Sequence, residues 1–235
     1  MLSNTLNNWI AMRPLMFCLT LAVSPAFADA SLQDLGEALF FDPSLSINGT
    51  QSCASCHDPA SGFSAGDVEA NLGGGVVQGA IVGQFGNRKP PTIAYTYASP
   101  SLHHTIEDGA PLFMGGLFFD GRATGNVTGS VLADQAMQPM LNPAEMAMPD
   151  PASVVARACE THAEFAARVS EACALSLATA PLDEEAAGKV DQAFALLARA
   201  IAVYEASPEV NRFSSRYDAF VAGQGTLSAQ ELAGL

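Results

Sequence analysis

The chain is short of basic residues, with 10 lysines and arginines against 24 acidic residues in 235, a formal net charge of −14 and a pI near 4.4. Nucleic acid is thereby excluded as a partner, because binding to a phosphate backbone rests on lysine and arginine. The same field draws in a basic redox protein, or simply keeps an exported protein soluble. Tryptophan occurs once, at Trp9, and cysteine five times. No apolar run approaches the roughly 20 residues that cross a bilayer, so stable membrane insertion is not expected. Glycine clusters at Gly73-Gly74-Gly75, but no Lys-Ser/Thr follows and no strand pattern precedes, which excludes a phosphate cradle.

The N-terminus carries Arg13, an apolar run from Leu15 to Val23, Pro25 and the small-residue site Ala26-Phe27-Ala28. This reads as a secretory signal over residues 1–28, cleaved after Ala28, with Met12 as an alternative start. Trp9 and Cys18 leave with it.

The informative stretch is Ser52-Cys53-Ala54-Ser55-Cys56-His57-Asp58-Pro59. Two cysteines three apart, with a histidine directly after the second, share one face of a helical turn. Both thiols can then add to the vinyl groups of a c-type haem while His57 reaches the iron. A zinc site needs a second close pair of ligands, and a redox dithiol belongs beside a strand–helix pattern; neither is visible. Export and haem attachment together place the protein in the periplasm.

Cys159 and Cys173 are the other cysteines left after processing. On one continuous helix they would lie about 21 Å apart, beyond bonding reach. Thr161-x-x-Glu164 reads as a capping box that restarts the helix between them, so a disulfide and two separate buried thiols both stay open.

Along the chain, Ser31 to Phe41 reads as a short helix and Ser61 to Pro91 as a glycine-rich loop. Pro90 to Tyr97 reads as an extended segment, and Asp134 to Met148 as a short helix interrupted by prolines. Helices follow over Pro151–Glu160 and Glu164–Ala174. Val190 to Tyr204 is the strongest helix, with Val190, Phe194, Leu197, Ile201 and Tyr204 on one face. Thr226 to Glu231 opens a further helix close to Leu235. His103 and His104 read as surface or structural residues.

Six motifs occur in order: Leu35-Gly36 through Phe40-Phe41-Asp42; Ser52 through Pro59; Pro91-Thr92; Phe119-Asp120-Gly121-Arg122-Ala123; Gln135-Ala136 through Pro139; and Asn142-Pro143 through Glu145-Met146. Together they resemble the bacterial di-haem cytochrome c peroxidases and the related MauG-like enzymes that mature a protein cofactor. The resemblance implies a mainly α fold: a cytochrome c-like haem domain with long loops over 29–182, then a linker helix and the start of a truncated second haem domain over 183–235. It implies one haem c in this chain and a second in the full-length protein. Cys53 and Cys56 would hold the peroxidatic haem, with His57 as its iron ligand. Gln135, Pro139 and Glu145 match distal-pocket positions, Glu145 as the acid that moves a proton between peroxide oxygens. Arg122 suits a haem propionate, or a salt bridge with Asp120. The implied reaction is reduction of hydrogen peroxide with electrons from a small soluble cytochrome c or cupredoxin, in a possible homodimer. The alternatives are a mono-haem electron-transfer cytochrome, with Met137, Met140, Met146 or Met148 as sixth ligand, and oxidation of a partner protein.

Three features depart from the family. No second Cys-x-x-Cys-His occurs. Phe119 stands where the family has a tryptophan between the haems, and phenylalanine is much harder to oxidise. Lys89 stands at the position of the family's calcium-associated asparagine, and an ammonium cannot ligate Ca²⁺.

Overall fold

The computed structural model describes residues 25–235, and side chains from residue 31. The export segment read over residues 1–28 thus lies almost wholly outside the described residues. In chain order the elements are α1 (Pro25–Phe40), α2 (Cys53–Cys56), α3 (Val68–Leu72), strands β1 (His103–Glu107) and β2 (Ala110–Met114), α4 (Val131–Leu141), α5 (Pro151–Thr161), α6 (Ala163–Arg168), α7 (Ser170–Ser176), α8 (Glu184–Glu205), α9 (Arg216–Val221) and α10 (Ala229–Ala233). The fold is mainly α, as its sequence predicts.

The core is built around α8. Its start is set by the Asp183 carboxylate, which accepts from Ala186 N at 2.9 Å, and by Glu184 and Glu185 in the first turn, where the helix dipole favours negative charge. From there it runs 22 residues, about 33 Å at 1.5 Å per residue. The predicted stripe is buried throughout, and Ala193, Ala198, Ala200 and Ala202 fill the positions between. These small residues let neighbours approach closely. At Gly36 of α1, an added Cβ would collide with the Ala200 carbonyl, so only glycine permits this crossing. Leu35, Leu39 and Phe40 of α1 are buried against α8, with the Phe40 and Tyr204 rings 5.2 Å apart. Helices α4, α5 and α7 pack on its other sides.

The structure corrects several local expectations. The extended segment expected over Pro90–Tyr97 instead turns at Tyr95 (φ 66°) into a short 3-10 turn, Thr96–Ala98. Residues 103–114 form an antiparallel hairpin, with His103 opposite Met114 and Glu107 opposite Ala110, which the sequence reading did not anticipate. The helix expected over Glu164–Ala174 is two short ones broken at Val169. A break between Cys159 and Cys173 is present, but Thr161 does not cap it: its hydroxyl donates to Arg157 O (2.8 Å), and His162 is the N-cap of α6. The two breaks fold α7 back onto α5. Cys159 and Cys173 are bonded, with Cα atoms 5.8 Å apart, so the buried-thiol alternative is overturned.

Helices α9 and α10 bury no residue and are joined by an Arg216–Glu231 ion pair at 2.6 Å. Among the described residues no helix is long and apolar enough to cross a membrane.

Candidate functional site

Helix α2 is a single turn opened by reciprocal Ser52–Ser55 capping, Ser52 N donating to Ser55 Oγ at 3.0 Å. That turn brings Cys53 and Cys56 to one face, both thiols free. Burial pushes the Cys53 thiol far up, helped by the Glu205 and Cys56 charges. Burial and Glu145 push Cys56 up to about 11. Thiols held neutral in this way are poor nucleophiles, unlike those of a redox dithiol.

His57 is oriented by two loops. Its Nδ1 lies 3.0 Å from Pro91 O and 3.2 Å from Phe63 O. Carbonyls only accept, so Nδ1 carries the proton and Nε2 keeps its lone pair for a metal. Burial lowers the His57 pKa, with the two carbonyls opposing, which favours the neutral ring that ligation needs. Gly62 and Phe63 both take left-handed backbone conformations (φ 65° and 56°), turning Phe63 O toward the imidazole. Thr92 Oγ1 donates to Gly62 O at 2.6 Å and closes the clasp.

The opposite wall comes from α4 and the chain that folds back after it. Ser130 caps α4, and buried Asp134 accepts from Gly125 N (2.8 Å), Val127 N (3.2 Å), Thr128 N (2.8 Å) and Thr128 Oγ1 (2.6 Å). Burial would raise its pKa, yet these bonds hold it below the usual carboxylate value. Pro139 lies inside the last turn of α4 and, lacking an N–H, cannot donate back to the turn before it. Asn142 N and Met146 N both donate to Pro139 O, at 3.3 and 3.1 Å. The chain is thus tucked back so that Glu145 faces the space beside α4. Gly79 then seats the preceding loop on this turn: a Cβ there would collide with Ala144 O, and Ala80 N donates to Glu145 O at 2.7 Å. Asn48 and Gln51 reach the same loop through Ala80 O (2.6 Å) and Gln78 O (2.7 Å). By this route Glu145 is tied to the residues leading into α2.

Beside this turn lies a cavity of about 820 Å³ whose wall includes Arg122, Met137, Gln138, Pro139, Glu145 and Phe194. Glu145 is half-buried. Burial raises its pKa, while the Arg122 charge and an Asn142 Nδ2 bond to Oε1 (2.9 Å) oppose the rise. Arg122 pairs through Nη1 with both Asp120 oxygens at 3.0 Å, donates from Nε to Gln138 Oε1 at 2.9 Å, and lies 3.7 Å over the Phe118 ring. The sequence-predicted Arg122, Pro139 and Glu145 therefore share one cavity. Gln135 is half-buried on α4 and does not line it; Gln138 does. The Cys53–His57 turn stands beside that wall rather than in it, linked to it through the charge of Glu145 on Cys56. Phe119 is 90% exposed, with Arg88 5.1 Å over its ring. His103 and His104 lie exposed on β1.

The sequence reading passed over Gln138, Phe118 and Glu205. Glu205 is the buried last residue of α8, and its Oε2 has no hydrogen-bond partner. Its position four residues after Ile201 on the apolar stripe marked it as a charge in the wrong place.

These elements define a helical protein built to hold a c-type haem: a vinyl-accepting cysteine pair, an imidazole in the ligating tautomer, and a cavity with an acid and a cation in its wall. Sequence comparison makes the class specific. A family model described as di-haem cytochrome c peroxidase matches residues 30–226, and the chain belongs to that family. The methylamine utilization protein MauG of Paracoccus denitrificans is 40% identical over 201 residues, covering 84% of this chain and 46% of MauG. Cytochrome c551 peroxidase of Nitrosomonas europaea is 34% identical over 126 residues, covering 54% of this chain and 28% of that protein. The crystal structure of the diheme peroxidase BthA from Burkholderia thailandensis superposes with a TM-score of 0.69 at 34% identity, over 87% of this chain and 45% of BthA. The matched part of this chain spans less than half the length of these relatives.

Proposed function

We propose that the chain forms the peroxide-reacting half of a periplasmic di-haem enzyme, one that reduces hydrogen peroxide to water with electrons from a small soluble cytochrome c or cupredoxin. The observation that carries this reading is Glu145, a half-buried acid in the wall of a cavity next to the attachment turn. Cys53 and Cys56 would hold the haem, and its iron would supply peroxide binding and electron transfer. The chain's own part is protonic and electrostatic. Glu145, in its ionised form, would take the proton from one peroxide oxygen and give it to the other, so that the O–O bond can break with that oxygen leaving as water. The haem would supply two electrons, and two further protons from solvent complete reduction of the remaining oxygen to a second water. Arg122 supports that ionised form through its charge and offers a guanidinium to a carboxylate-bearing edge. Pro139 shapes the wall; Gln135, one turn before it on α4, stands outside that wall. His57 would give its Nε2 to the iron, with Phe63 and Pro91 holding the ring.

Export to an oxidising compartment is supported by the Cys159–Cys173 bond, since such bonds persist outside the cytosol. The 40% identity to MauG supports a second reading, oxidation of a partner protein with the same peroxide chemistry. A third, simple electron transfer, draws on Met137, which lines the cavity and could fill a sixth position; Met140, Met146 and Met148 are buried in the core.

The test is the electronic spectrum of the ferric, haem-loaded protein before and after peroxide. A high-spin spectrum that changes on adding peroxide supports catalysis at this haem. A low-spin spectrum inert to peroxide and cyanide, becoming high-spin in Met137→Ala, would establish the electron carrier instead.

A further inference from the structure

We infer that the side-chain amides of Gln138 and Asn142 are positioning residues that fix how Arg122 and Glu145 face the cavity. The inference rests on the reading of Glu145 as the proton-moving acid and extends it to residues outside the family motif's three distal positions. A free amide is ambiguous, since its oxygen and nitrogen can exchange places. Here the backbone removes the ambiguity in both. Gln138 Nε2 donates to Asp134 O at 3.3 Å, so Oε1 is the end turned to Arg122, where it accepts from Nε at 2.9 Å. Asn142 Oδ1 accepts from Ala144 N at 3.0 Å, so Nδ2 is the end turned to Glu145, where it donates to Oε1 at 2.9 Å.

The consequences follow from hydrogen-bond chemistry. A nitrogen that can only donate favours the ionised carboxylate. With Oε1 engaged, Oε2 is the oxygen left to exchange a proton. Arg122 is held on three sides, by Asp120, by Gln138 and by the Phe118 ring, which restricts its guanidinium to one plane. Both amides line the cavity together with the groups they orient.

Asn142→Asp is the sharpest test, because it keeps the oxygen that accepts from Ala144 N and replaces only the donor facing Glu145. Gln138→Leu is the second variant, free of any new charge. Both are made in the haem-loaded protein. The ionisation of Glu145 is followed by infrared spectroscopy of the carboxyl, and the rate of reaction with hydrogen peroxide is followed by stopped flow across pH. In Asn142→Asp the Glu145 titration and the acid limb of the peroxide profile move together to higher pH by about one unit or more, a tenfold change in proton affinity. Gln138→Leu moves both the same way by less. Wild-type titration of Glu145 in both variants would overturn the inference. A shifted titration with a peroxide reaction indifferent to Glu145→Gln supports the positioning role and rejects Glu145 as the acid.

Discussion

Glu205 offers a sharp quantitative test of the packing described above. Glu205 is 3% exposed and its Oε2 has no hydrogen-bond partner. Burial pushes its pKa from 4.5 up to about 8. With each tenfold in proton affinity worth about 1.4 kcal/mol, ionising Glu205 in the fold costs at most about 5 kcal/mol more than in the unfolded chain. The sign is fixed by linkage. The folded state holds the proton more tightly, so the Glu205 contribution is fully present below pH 4.5, is lost progressively as pH rises to about 8, and is constant above. Glu205→Gln keeps the shape and removes the ionisation. Denaturant unfolding of both proteins, with the disulfide intact, gives the stability difference as a function of pH. The two should be nearly equal in stability below pH 4.5, with the variant the more stable by several kcal/mol above pH 8. Comparing the difference cancels the contributions of the other carboxylates. A difference that does not change between those limits would refute the claim that Glu205 is buried without a compensating partner.

Two further perturbations probe the scaffold around the site. Asp134→Asn should destabilise the protein by about 3 kcal/mol, because an amide nitrogen would face backbone N–H groups that the carboxylate now accepts, and the loss should show as a lowered denaturation midpoint. The native Asp134 contribution is present above the ordinary aspartate pKa of 3.8 and fades as pH falls through its lower folded value, so the variant and wild type should converge in acid. Replacing Cys159 and Cys173 with alanine opens a loop with a sequence separation of 14, which should cost about 3 kcal/mol by loop-closure entropy; equal midpoints with and without the bond would contradict it.

Much of the site was legible because its chemistry is local. The Cys53–His57 spacing fixes a face of one turn, and the Pro139–Glu145 segment carries its own fold-back in Pro139 and Asn142. Residues whose roles depend on packing were harder to read. Gln138, rather than Gln135, meets Arg122, a choice made by the rotation of α4 and the loop after Phe118. The disulfide was undecidable while residues 164–174 read as one helix, since bonding depends on the breaks at both His162 and Val169. The hairpin was missed because every residue in β1 and β2 is exposed, leaving no alternation of buried and exposed positions to detect. Its turn was nevertheless written in the sequence: Asp108-Gly109, both with positive φ (50° and 80°), is the pair that a tight two-residue hairpin prefers. The apolar stripe of α8 was read correctly, and extending it one step would have exposed Glu205.

The most direct test of the central claim is the second-order rate of hydrogen peroxide with the ferric, haem-loaded protein, measured for wild type and Glu145→Gln. If Glu145 moves the proton, the rate should fall about 10²- to 10⁴-fold while the spectrum of the unreacted protein stays unchanged. Equal rates in the two proteins would contradict the account.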